Sequence, residues 1–346
     1  HRARRKLYDL ARQNDDRPFF LTVSFTHPHD PYQCLQQHWD LYSHDEIPMP
    51  TTESIPDDQQ DPYSQRLCQQ YGLDREPLNE EQIRTARHAY YGSISYIDQQ
   101  IGLVLDTLIE TGFDQSTMIV LTSDHGDMLG ERGLWYKKSF FEDSVRVPLI
   151  IRLPGASPSR VYSPVSLVDL LPTLMEVSAM TPPSELLDSL DGRSLVGSIH
   201  GNDKDERNAT YSENLAEGAM APILMVRDAQ YKLIYSPIDP IQLFDLTTDR
   251  YEHTNLASDP AYFAERDRLI SLARQKWDLD NLNDRVLRSQ KQRLFIRSVF
   301  DHQIRPDWDY KPDDQAEAQC LRSDRSYNDW AYNDVIGLKH PGSSSK

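Results

Sequence analysis

The chain has little of what several whole classes of function require. It lacks a basic excess: 54 Asp and Glu against 37 Lys and Arg leave a formal charge of −17. That balance argues against nucleic acid or an anionic membrane surface as a partner. It also lacks a cysteine framework. Cys34, Cys68 and Cys320 are scattered, with neither disulfide-scaffold nor zinc-site spacing, so a reducing compartment, the cytoplasm, is the expected location. No apolar run reaches the roughly 20 residues needed to cross a bilayer. There is no internal repeat, and no low-complexity tract before Gly342-Ser343-Ser344-Ser345. An acidic, soluble enzyme-like chain remains, long enough for a sizeable core and about two structural units. Its acidity is mostly a solubility trait, although the negative field favours a cationic substrate.

What is present is concentrated in one stretch. Met118-Ile119-Val120-Leu121-Thr122 is apolar and β-branched and predicts a buried strand. Ser123-Asp124-His125-Gly126-Asp127 follows at once. An Asp and a His where such a strand ends suit a metal or phosphoryl/sulfuryl site at the carboxyl edge of an α/β sheet. Asp124 offers hard oxygens to a divalent cation, and His125 a ring nitrogen. Alone, such a pair reads as a capped turn; its surroundings argue otherwise.

The rest of the pattern predicts an α/β fold. A basic helix ends near Arg12, and Arg17-Pro18 breaks it before a strand-like run, Phe19 to Phe25. Residues 33–78 are polar and proline-dotted and predict a long surface excursion. Asn79 starts a clear helix with Gln82 at its capping-box position, an apolar face from Ile83 to Leu108, and Gly112 at its end. Val147 to Leu153 is another buried strand, and Asp169 a helix-start charge. After about Asn208 short strands alternate with tight loops before a helix over 264–277. The expected organisation is a partial doubly wound mixed sheet with helices on both faces over 1–205, a small antiparallel α+β subdomain over 206–285, and an extension over 286–346.

Strand-then-SDHGD is accompanied by Lys137 four residues before Phe141-Glu142, by the Arg146-Val147-Pro148-Leu149-Ile150-Ile151 run, and by a Pro28-His29-Asp30-Pro31 loop. Together these resemble the sulfatase family of the alkaline-phosphatase superfamily. The run from Ser123 to Pro148 and the tail through Trp308-Asp309-Tyr310 resemble its choline-sulfatase branch. The resemblance covers the chain to about Ser323. It implies a sulfuric ester hydrolase acting on choline sulfate, with a divalent metal (Ca²⁺ ahead of Mg²⁺ or Mn²⁺) and a formylglycine nucleophile. It assigns Asp124 and His125 to the metal, Lys137 to a sulfate oxygen, and His29 to the leaving-group oxygen. His27 is the rival to His29, and Lys138 shows how readily a surface lysine resembles Lys137. For the quaternary ammonium the expected carboxylate is Glu213, with Glu217 as the alternative. Asp324 or Asp329 of the tail are further acids, and the tail implies a homo-oligomer.

One family feature is absent. None of the three cysteines is followed by Pro at two and Arg at four, and after Ser157 both Pro158 and Arg160 come one place early, leaving Ala156 at the nucleophile position. The paired acidic metal ligands after the first strand are missing too, and the sequence opens without Met. The chain is therefore expected to be the C-terminal part of a longer protein. The alternatives are an aryl- or other alkyl-sulfatase, a phosphonate monoesterase, or a non-catalytic remnant acting in subunit association.

Overall fold

A computed structural model describes residues 1–13, 17–180, 190–201 and 209–300. Helix α1 (Arg2–Arg12) lies on a long later helix through Leu7, 1% exposed, and through Arg4, whose Nε donates to Thr107 Oγ1 at 3.0 Å. The Phe19–Phe25 run keeps the in-out alternation of a strand but forms no ladder. An extended segment becomes a strand only when a second backbone completes its hydrogen bonds. Leu21 to Phe25 instead line a cleft of about 520 Å³ with α1, and none of His29, Asp124, His125 or Lys137 is in its walls.

Residues 33–78 are more ordered than their composition suggests. They hold α2 (Gln36–Trp39) and α3 (Pro62–Tyr71), and bury His38, Ile47, Tyr63 and Leu67. Helix α3 has full end signals: Asp61 caps it, accepting from the amides of Tyr63 and Ser64, Pro62 opens it, and Gly72 at φ +70° closes it. Helix α4 (Glu80–Glu110) begins with the Asn79–Gln82 capping box and ends before Gly112 at φ +73°. Its deepest residues include Arg87, His88, Gly92, Ser93 and Thr107, whereas Ile94 on the apolar face is 45% exposed.

Strand β1 (Ile119–Thr122) pairs antiparallel with β2 (Leu149–Arg152), Ile119 opposite Arg152 and Thr122 opposite Leu149. The short helix α5 (Glu142–Val145) lies between them. Both strands are only half-buried, Ile150 being 62% exposed, because a two-stranded ladder covers neither of its own faces. Helices α6 (Leu170–Val177) and α7 (Val196–Ile199) follow; Asp169, fully buried, accepts from the amides of Ser166 and Arg193.

The later sheet is antiparallel in the order β3 (Thr210–Asn214), β4 (Ile223–Arg227), β5 (Tyr231–Tyr235), β6 (Gln242–Asp245). Alternate residues face opposite sides. Ile223, Met225, Ile234 and Phe244 pack on Tyr63, Leu67, Met128, Leu134, Phe140 and Phe141. Leu224, Val226, Leu233 and Leu243 pack on Leu269 and Ala273 of α8 (Phe263–Lys276). The sheet is thus a layer between the SDHGD lobe and α8, and α9 (Leu279–Phe300) follows. Trp308, Asp309, Tyr310, Asp324 and Asp329 lie outside the described residues. Among the described residues no helix is long and apolar enough to cross a membrane.

Candidate functional site

Three loops converge where β1 ends. The first is the SDHGD turn. Ser123 Oγ donates to the carbonyl of His125 at 2.8 Å, and the His125 amide donates to Asp124 Oδ1 at 3.1 Å. The Gly126 amide donates to Ser144 O at 2.7 Å, and a Cβ there would fall 2.0 Å from the carbonyl of Asp143, so only glycine lets the turn pack this closely. His125 Nδ1 lies 2.7 Å from Gly126 O. A carbonyl requires a donor, so Nδ1 carries the proton and Nε2 keeps its lone pair.

That lone pair lies 3.6 Å from Asp124 Oδ2, on a carboxylate whose side chain is 86% exposed. Slight burial pushes the Asp124 carboxyl up, but His125 and the turn's own hydrogen bonds outweigh it and hold the group below its usual range. One nitrogen lone pair and one ionised carboxylate are a suitable donor pair for a divalent metal. Among the described residues no third His, Cys, Asp or Glu joins them.

The second loop carries His29, the third Lys137. They are 108 positions apart in sequence, and Lys137 Nζ lies 2.7 Å from His29 Nε2. His29 Nδ1 faces Asp30, 2.8 Å from its carbonyl and 3.0 Å from Oδ1. The partners set the tautomer: Nδ1–H donates to Asp30, and Nε2 accepts from the ammonium. The rings of His29 and His125 are 6.2 Å apart. His27 instead turns its ring toward Tyr96 at 5.6 Å, so it is His29 that reaches Lys137.

Lys138 points the other way. It pairs with Glu217 at 3.1 Å and lies 4.8 Å over the ring of Tyr71. Its carbonyl accepts from Tyr63 Oη, and Asn214 Nδ2 donates to that same oxygen of Tyr63. This brings the 214–217 loop to the lysine pair. The expectation for Glu213 is corrected by strand parity. Glu213 shares the α8 side of β3 with Tyr211, and its Oε2 accepts from Trp277 Nε1 at 2.6 Å. Its neighbour Asn214 faces the lobe, as a one-residue step in a strand requires. Glu217, not Glu213, is the carboxylate beside Lys138.

Sequence reasoning missed the residues that hold the loops together. Asp30 orients His29. Asp127 Oδ1 accepts from the amides of Leu129 and Tyr136, and both its oxygens accept from Tyr32 Oη. Burial raises the Asp127 carboxyl, and burial followed by the charge of Asp127 raises the Tyr32 phenol strongly. Tyr32 also stands among the rings of Tyr90, Trp135 and Tyr136. The signal for Asp127 was its place in SDHGD, but its partner 95 residues away left no local trace.

Known proteins resemble the stretch of chain that carries these loops. The family profile described as sulfatase matches residues 2–179, and one described as N-sulphoglucosamine sulphohydrolase, C-terminal, matches 130–276. The chain is 39% identical to a choline-sulfatase of Rhizobium meliloti over 93% of its own length and 63% of that protein's. It is 32% identical to an arylsulfatase of Clostridium perfringens over 73% of its length and 52% of that protein's. In structure it resembles a phosphonate monoester hydrolase from Silicibacter pomeroyi, with TM-score 0.66 and 28% identity, over 81% of this chain and 60% of the other. The chain therefore spans between half and two thirds of the length of these relatives.

Proposed function

Because this chain belongs to the sulfatase family, we propose that the protein hydrolyses choline sulfate to choline and sulfate. One observation carries the reading: Lys137 and His29 meet 2.7 Å apart beside the Asp124–His125 pair. A cation, a proton-carrying ring and hard metal donors in one place match what cleavage of a sulfate monoester needs. The relation to choline-sulfatase over 93% of the chain and the acidic balance support the choice of substrate.

Lys137 exchanges its contact with His29 for a sulfate oxygen and offsets its charge as a compact ammonium. Once Lys137 has left it, the Nε2 lone pair of His29 takes up a proton from solvent and passes that proton to the departing alkoxide, while Nδ1–H stays on Asp30, which stabilises the ring as long as it is protonated. Asp124 and His125 would hold part of a divalent metal shell, and the metal would supply Lewis-acid polarisation of the sulfate. Ca²⁺, ahead of Mg²⁺ or Mn²⁺, is the ion we assign there from the family resemblance. The nucleophile, a formylglycine, is assigned outside residues 1–346, since no Cys or Ser here has the required spacing. Glu217 is the carboxylate we assign to the trimethylammonium group, which would take the place of Lys138 beside it.

The likeness to a phosphonate monoester hydrolase supports a second reading, in which the same residues act on a phosphonate monoester. Rates of the full-length protein on choline sulfate, an aryl sulfate and a phosphonate monoester decide between them. A kcat/KM highest for choline sulfate, abolished together with bound metal by Asp124→Ala, is the expected result. A preference for the phosphonate ester overturns the first reading in favour of the second.

A further inference from the structure

At the seam between α3 and the later sheet, four oxygen atoms are left over. Asp61 spends Oδ1 on the amides of Tyr63 and Ser64, but its Oδ2 has no partner. Ser64 Oγ, Ser236 Oγ and the Gln242 side-chain oxygen are likewise buried and unpartnered. Their residues are 0%, 5% and 9% exposed. All four residues line one cavity of about 20 Å³. A water molecule needs roughly 10–15 Å³ of such space and two to four polar partners.

We propose that this cavity is a binding site for one internal water molecule that bridges Asp61, Ser64, Ser236 and Gln242. The hydrogen inventory closes. The carboxylate and the amide oxygen can only accept, and a water offers two hydrogens. The two serine hydroxyls can donate, and a water offers two lone pairs. A metal cation is the poorer occupant, because it would claim the serine lone pairs and leave both hydroxyl hydrogens without an acceptor. Charge argues the same way. Asp239 in the wall is already paired with Arg66 at 2.6 Å, which leaves Asp61 as one carboxylate among neutral oxygens. The water thus joins α3, whose Tyr63 holds the Lys138 carbonyl, to the strands that the 214–217 loop precedes. This assignment rests on packing and polar inventory and is independent of the reaction catalysed.

The test is a crystal structure of the whole protein grown from rubidium chloride, with thermal melts of serine variants alongside. One density peak about 2.7–3.1 Å from all four oxygens, without rubidium anomalous signal, is expected. An anomalous peak there makes it a cation site, and collapse of the four oxygens onto one another removes the site; either overturns the proposal. In melts, Ser64→Ala and Ser236→Ala should each lower Tm, and the double variant by clearly less than the sum, because both hydroxyls serve the same water. Strict additivity overturns the bridge even where each variant folds normally.

Discussion

Tyr32 Oη donates to both carboxylate oxygens of Asp127, at 3.0 Å and 2.9 Å, and thereby fastens the loop of His29 to the turn of His125. The same carboxylate receives the amide of Tyr136, the residue before Lys137. One half-buried acid therefore sets the separation of three loops, each carrying a proposed site residue.

Tyr32→Phe should accordingly destabilise the protein by about 1.5–3 kcal/mol, the usual range for a hydrogen bond to a charged group. Asp127→Asn should cost less. The amide oxygen can keep both backbone donors of Oδ1, its NH₂ can donate to Tyr32 Oη, and a neutral group escapes the burial that raises the carboxyl. Urea unfolding at neutral pH checks the order. A larger loss for Asp127→Asn than for Tyr32→Phe would show that the charge itself holds the loops.

The two adjacent lysines should separate cleanly. In the full-length protein Lys137→Ala should lower kcat by about 10²–10³-fold, as loss of a charge-stabilising donor does. Lys138→Ala should act mainly on KM and stability, because its partners are Glu217 and the ring of Tyr71 rather than His29. Steady-state kinetics on choline sulfate measure both, and equal kcat losses would remove the distinction.

Specificity follows from strand parity. Glu217→Gln should raise KM for choline sulfate about fivefold or more, corresponding to roughly 1 kcal/mol for a partly desolvated cation contact, and leave a neutral aryl sulfate nearly unaffected. Glu213→Gln should change neither, since its amide oxygen can still accept from Trp277 Nε1. Parallel loss on both substrates with Glu217→Gln would place that residue in the packing alone.

Much of this was legible in the sequence because its determinants are local. The Asn79–Gln82 box, the Gly112 stop and the Asp169 cap each lie within a few residues of what they satisfy. Helix α3 had equally local signals in Asp61-Pro62 and Gly72, hidden only by the polar composition around them. The pairs that build the site are not local. His29 with Lys137 and Tyr32 with Asp127 are joined only when the chain folds, and motifs could suggest the members but not the contacts. Glu213 lies on the α8 side for a subtler reason: strand spacing is legible in the sequence, but which face meets the lobe depends on the packing of the whole sheet.

The sheet is held to the site by a buried ion cluster, which makes stability there depend on pH. Lys232, fully buried in β5, lies 2.6 Å from Glu142, 2.8 Å from Glu252 and 2.8 Å from the carbonyl of Phe140. One ammonium faces two carboxylates, and they are not equivalent. Burial would raise Glu142, but Lys232, with Arg227 and Arg146, outweighs it and holds that carboxyl below its ordinary 4.5; burial leaves Glu252 raised. A carboxyl lowered on folding contributes stability above its unfolded value and loses it as pH falls through the folded one. Glu142→Gln should therefore cost about 3 kcal/mol at pH 7, as breaking a buried pair does. The difference from the unaltered protein should then shrink as pH falls below 4.5 and both forms become neutral at this position. Urea unfolding of the two proteins from pH 7 down to the acid limit of folding measures it. A gap that stays constant over that range would mean that Glu142 acts through the shape of its side chain, not through its charge.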